Sequence, residues 1–275
     1  MNEEETSVEA KVIAQDIESG VARGDSKNGE STAPVIGANS TLVEVGKEFS
    51  LSLGLTDAGV GVDDTNIKVS LPNGETGLTY DSKNQLIRGT ISAVAKKEIT
   101  VRVLDKNGNK AEKTISIAAV KAKPIYAIKD GTIPNVDTPS NFVEVPEGVT
   151  SPSIAWKDGQ PTTTTVGETH KTVTVSVQGY ATAKDIDVPV KVYDKVTLKK
   201  QTYVNALGTL FNGRNPVSYV NALPKGATVK WKDGKVPDVS KANKDLKGII
   251  EVSQATDDSN NPITYTLEVN LPTYS

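Results

Sequence analysis

The chain has one histidine, His170, in the run GETHKTV, where a polar turn enters a strand-like segment. A multi-histidine metal site is therefore impossible. The complete lack of cysteine also removes thiolate zinc sites, cysteine nucleophiles and disulfides. A Ser-His-Asp arrangement would have to use His170, and no G-x-S-x-G elbow exists to present its serine. His170 reads as a surface residue. Carboxylates are numerous enough for the paired-acid chemistry of glycoside hydrolysis. Yet aromatic residues make up 5% of the chain, and no acid is embedded among them. The expectation is a protein that is not an enzyme, the alternative being an accessory region of a glycan-acting enzyme with its site in inter-domain loops.

Oxygen ligands are better represented. Asp105, Asn107 and Asn109 have the D-x-N-x-N spacing that can present oxygens to Ca²⁺, and Asp57 lies in an earlier loop with Asp63 and Asp64. An EF-hand would need glutamate at the twelfth position, where Ser116 stands. The same LDKNGNKA segment carries Asn-Gly between two alternating runs, which is a strong hairpin signal. Both readings stay open, and calcium is the one cofactor these residues admit.

Three further groups suit binding. Arg23-Gly24-Asp25 is the integrin-recognised tripeptide, set in a polar stretch rich in turn formers. Tyr203, Phe211, Arg214 and Tyr219 gather aromatics and a cation in one region, the composition of binding hot spots and also of a packed sandwich edge. Trp156 and Trp231 each open the tetrapeptide WKDG. An indole there can stack on sugar, but in modules this poor in aromatics it is expected in the core. Lys191 and Lys199 are candidates for a lysine–asparagine isopeptide bond.

The elements that must position these residues are strands. From Pro34 onward short period-two runs recur (TLVEV, FSLSLGL, NIKVSL, EITVRVL, KTISIAAV), separated by DAGVGVDD, LPNGETG and DKNGNK. Alternation punctuated by Gly, Asn and Asp about every ten residues predicts an all-β chain of tandem immunoglobulin-like β-sandwich modules, elongated. Residues 1–31, with weak helical spacing at Val8, Val12, Ile13, Ile17 and Val21, form a lead-in. Two later segments, VPEGVTSPSIAWKDGQP and LPKGATVKWKDGKVP, are divergent copies of one another, which signals repeated modules. Aligning them sets expected modules at 32–120, 121–195 and 196–275. The net charge of −3 offers no global field for nucleic acid, and no apolar run approaches the ~20 residues of a membrane helix.

The repeated P-x-G, strand and WKDG motif resembles the Rib-type repeats of Gram-positive surface proteins. Residues 32–120, with VGKEFSLSL, GLTYDSKNQLIRGTI and ITVRVLDKNGNKAEKTISI, resemble their cadherin-like and Ig-like modules, which serine-rich-repeat adhesins also combine. The resemblance implies an extracellular, cell-wall-anchored adhesin, excised here from a longer secreted protein. Its implied partners are a host glycan or a host surface or matrix protein, with no nucleic acid and no membrane insertion. The chain is expected to be a monomer.

Overall fold

Within the strand Ala95–Asp105 the alternate side chains Ile99, Val101 and Val103 are apolar and fully buried, while Arg102 between them faces solvent. An antiparallel partner with the same alternation, Lys110–Ala122, sets Ile115 opposite Ile99, so the two strands share one apolar face. Each such side chain removed from water contributes ~1.5–3 kcal/mol. In this computed structural model the described residues are 31–74, 77–211, 215–256 and 261–275. Their architecture is all-β, consistent with Ig-like sandwiches, and among them no helical segment exceeds the four residues of two 3₁₀ turns. The chain divides into two compact units, described in turn.

The first unit comprises the described residues through Lys121 together with Val143–Ile154 and Thr174–Ile186. Val62–Ser70 extends the Ala95–Asp105 and Lys110–Ala122 pair antiparallel, and Thr41–Glu44 joins Lys110–Ala122 in parallel. A second sheet, Glu48–Ser52, Leu86–Thr90 and Leu78–Asp81, is antiparallel throughout. Ile87 and Leu78 from this sheet meet Ile99, Val101, Ile115 and Ile117 from the other in one core. That is a sandwich built from alternation on both layers. Within the second sheet Gly77 and Gly89 approach so closely that Thr90 N–H donates to the Gly77 carbonyl at 3.0 Å.

The second unit comprises Ala122–Phe142, Ala155–Val173 and Asp187–Ser275. Here Ile125–Ile128 runs parallel to Lys184–Tyr193, in a sheet continued by Gly167–Ser176 and Ser153–Trp156. Further on, Thr228–Trp231, Lys247–Thr256 and Pro262–Asn270 form an antiparallel sheet with an irregularity between Gln254 and Thr256. Ile250, Val252 and Val269 from this sheet, with Leu271 just past its end, pack against Tyr203, Leu210, Tyr219 and Val239. Asn205–Ala206 closes the layer by pairing in parallel with Thr273–Tyr274.

Candidate functional site

Three of the four residues expected to bind a ligand in the last segment do converge. The Tyr203 and Phe211 rings lie 4.6 Å apart, Tyr219 stands edge-on to Tyr203 at 4.9 Å, and Trp231 continues the cluster 5.5 Å from Tyr219. Edge-on and tilted contacts at these separations suit the ring quadrupoles. Tyr219 has no exposed surface and Tyr203 is 5% exposed, whereas Phe211 keeps 39%. The Tyr219 hydroxyl donates to the Phe211 carbonyl at 3.0 Å, and the Phe211 N–H donates to buried Asn205 Oδ1 at 2.8 Å. Burial, with the neighbouring Tyr203 adding to it, pushes the Tyr219 phenol up to about 12. Lys200 sits with its ammonium 4.7 Å from the Tyr203 ring centre, a cation–π geometry. Chemically the cluster is an aromatic wall with Phe211 as its outward face and a lysine at its rim. Arg214 lies outside the described residues, as do Arg23, Gly24 and Asp25.

The two WKDG segments take related but unequal roles. Trp231 is 4% exposed and belongs to the core. Trp156 is half-buried, stacks at a tilt 5.6 Å from Phe142, and donates its indole N–H to the Val136 carbonyl at 2.8 Å. After Trp231 the tripeptide Lys232–Gly234 forms a 3₁₀ turn with Asp233 at φ 56°, all three residues exposed.

The LDKNGNKA segment folds as a hairpin around Asp105. This carboxylate is 1% exposed; Oδ1 accepts the Asn107 and Asn109 backbone N–H groups, each at 2.8 Å, and Oδ2 accepts from Asn109 Nδ2 at 2.8 Å. The Asp57 loop meets it through Lys106 N–H to Gly61 O at 3.0 Å. Asp57 Oδ2 accepts from Gly59 and Gly61, while its Oδ1 is buried without a hydrogen-bond partner. Among the described residues no three His, Cys, Asp or Glu side chains converge as a metal site would require. His170 is exposed, 3.7 Å from Glu168. Lys191 lies half-buried with its ammonium 5.4 Å from the Tyr126 ring centre, and Lys199 is exposed.

One constellation had no signal in the spacing of residues. Gln254, 1% exposed, donates to the Asp194 carbonyl at 2.5 Å and accepts from the Tyr265 hydroxyl at 2.6 Å; that hydroxyl accepts in turn from Val196 N–H at 2.7 Å. A glutamine and a tyrosine from adjacent strands thus fasten the connecting residues 194–196. Beside them a groove of about 970 Å³ is walled by residues 124–134 and 261–265.

With this geometry in place, comparison with known proteins gives sequence likenesses to proteins of Staphylococcus aureus. The chain is similar to a staphylococcal matrix-binding protein. It is 25% identical over 210 residues to the extracellular matrix-binding protein EbhB of Staphylococcus aureus, a match that covers 74% of this chain and 5% of that protein. The chain thus spans only a small fraction of the curated relatives it matches. No protein-family model matches it. Among solved structures, the SrpA adhesin from Streptococcus sanguinis is 18% identical with a TM-score of 0.28, covering 60% of this chain and 96% of that one. An endo-fucoidan hydrolase of glycoside hydrolase family 107 is 13% identical with a TM-score of 0.27, covering 90% and 45%.

Proposed function

We propose that this chain is a binding and spacing region of an extracellular bacterial adhesin, held at the cell wall, that engages a host matrix protein. The likeness to a protein named for matrix binding, extending over 74% of the chain, carries this reading. The modules we propose are those at 32–120, 121–195 and 196–275, the last two of Rib type. A recurrent pairing supports the division: in each stretch an early strand runs parallel to the last one. Thr41–Glu44 pairs with Ile117–Val120, Ile125–Ile128 with Val190–Tyr193, and Asn205–Ala206 with Thr273–Tyr274. Ladder hydrogen bonds and sandwich cores would keep such modules rigid without crosslinks, which suits display away from a cell surface.

Within this frame the contact residue we assign is Phe211, since Tyr203 and Tyr219 spend their surfaces on one another and present it. Surface plasmon resonance of the chain over immobilised matrix proteins, with a glycan array in parallel, tests the proposal. Binding to a matrix protein that weakens about tenfold in Phe211→Ala is expected, as for an aromatic at the centre of an interface. Absence of binding to every matrix preparation would defeat it, and binding confined to glycans would replace the proposed partner.

A further inference from the structure

The sequence holds four Asn-Gly pairs, at residues 28–29, 73–74, 107–108 and 212–213. The first and last lie outside the described residues. Asparagine before glycine is chemically labile, because the missing Cβ leaves the glycine nitrogen free to close a ring onto the side-chain amide. That nitrogen is the attacking atom, so the fate of its N–H decides how labile a folded Asn-Gly pair is. In LDKNGNKA the pair closes the hairpin between Ala95–Asp105 and Lys110–Ala122. Gly108 N–H donates to Asp105 O at 3.1 Å, and Asn107 N–H donates to Asp105 Oδ1 at 2.8 Å. Asp105 is itself 1% exposed, so this turn is pinned from beneath. In LPNGETG the pair lies on the connection from Val62–Ser70 in one sheet to Leu78–Asp81 in the other. Asn73 and Gly74 are both exposed there, and among the described residues neither takes part in a hydrogen bond. Crowding does not separate the two pairs: a Cβ built on Gly74 or on Gly108 would meet nothing within 4 Å. Their φ values, 82° and 90°, are also alike. The state of the glycine N–H is what differs.

We propose that Asn73 is a modification site that converts spontaneously to aspartate and isoaspartate in the folded chain, while its hairpin protects Asn107. In the first step Gly74 N gives up its proton and bonds to Asn73 Cγ, closing a succinimide ring. The Cγ–Nδ2 bond breaks, and Nδ2 leaves as ammonia with that proton. Water then opens the ring. Cleavage between Cγ and Gly74 N gives aspartate, whereas cleavage between the Asn73 carbonyl carbon and Gly74 N gives isoaspartate, whose main chain runs through Cβ and Cγ. Water is the one co-reactant, and nothing is oxidised or reduced. Each event adds a carboxylate to a chain whose net charge is −3. At Gly108 the same attack must first break the bond to Asp105 O and turn the peptide out of the hairpin, a local opening that the fold resists. The inference does not rest on matrix binding, and a chain that binds no matrix protein would still be modified.

Incubation of the full chain in mildly alkaline buffer, followed by peptide mapping with mass spectrometry, tests it. The mapping follows each asparagine separately as amide becomes acid, and the later elution of isoaspartyl peptides distinguishes the two products. Asn73 should convert at least about tenfold faster than Asn107, the rate factor set by one hydrogen bond that must open. In urea both turns are lost and only the dipeptides remain, so Asn107 should accelerate until the two rates draw level. An Asn73 that keeps its amide in the folded chain overturns the proposal. So does an Asn107 that converts as fast as Asn73 before unfolding. A difference that persists undiminished in urea overturns it equally, since it would belong to the flanking residues and not to the hairpin.

Discussion

Gly248 offers a sharp test of how the last core is held. It sits in Lys247–Thr256 opposite Val269, and a Cβ added there would come 2.7 Å from Trp231 Cζ3 and 3.0 Å from both Leu271 Cδ1 and Pro237 Cγ. Carbon atoms pack best near 3.5–4.0 Å, so the indole would have to retreat by ~1 Å. It has nowhere to go, being 4% exposed with Tyr219 5.5 Å away. Two effects of opposite sign compete in Gly248→Ala. Losing a glycine from a strand gains ~0.5–1 kcal/mol by restricting the unfolded chain. Overpacking a filled core costs ~1–3 kcal/mol. The clash should win, with a net loss of ~1–2 kcal/mol. Trp231→Phe removes the part of the ring in the way, so the double variant should lose less than the sum of the singles, with a coupling of ~0.5 kcal/mol or more. Urea unfolding followed by circular dichroism supplies the free energies, and in a Trp156→Phe background fluorescence reports on Trp231 alone. A Gly248→Ala midpoint at or above the parent's, or costs that simply add, would refute the packing argument.

Gly89→Ala should be harsher, since its Cβ would fall on the Gly77 carbonyl oxygen, backbone against backbone with no side chain to swing aside. A loss of about 3 kcal/mol or more in the melting of the first unit is expected, against which an unchanged transition would count. Asp105→Ala removes the buried acceptor of three hydrogen bonds at a part-exposed hairpin turn and should cost ~1–3 kcal/mol. Added Ca²⁺ should leave the parent's melting temperature unmoved, because a cation would have to displace those donors; a rise of several degrees would restore the calcium reading. The raised Tyr219 phenol implies alkaline lability: its neutral form is favoured by the fold, so that stability is fully present below the ordinary tyrosine value of ~10 and is lost as pH rises through about 12. Tyr219→Phe should flatten this loss in a pH-dependent unfolding series, and an unaltered profile would assign it elsewhere.

What the sequence disclosed was what local rules govern. The runs EITVRVL and KTISIAAV became the long pair Ala95–Asp105 and Lys110–Ala122 because period-two alternation has no other compact solution, and Asn-Gly between them closed the hairpin. The GLTYD…GTI pattern marked a real constraint too: its glycines, Gly77 and Gly89, are where two backbones touch. Trp231 in the core was legible from scarcity, since a module with few aromatics buries those it has. Trp156 shows the limit of that argument. The same WKDG leaves it half-buried, because the carbonyl of Val136 and the ring of Phe142 give it partners at the periphery.

What stayed hidden depends on chain segments far apart in sequence. Nothing around Gln254 announces that its amide reaches Asp194, sixty residues away, or that Tyr265 completes the tie to Val196. Hydrogen bonds of this kind carry no period and no motif; only the meeting of strands creates them. The same holds for the last parallel ladder. Val204 and Tyr274 are unremarkable in the sequence, and the parallel pairing of Asn205–Ala206 with Thr273–Tyr274 is what turns them to one side.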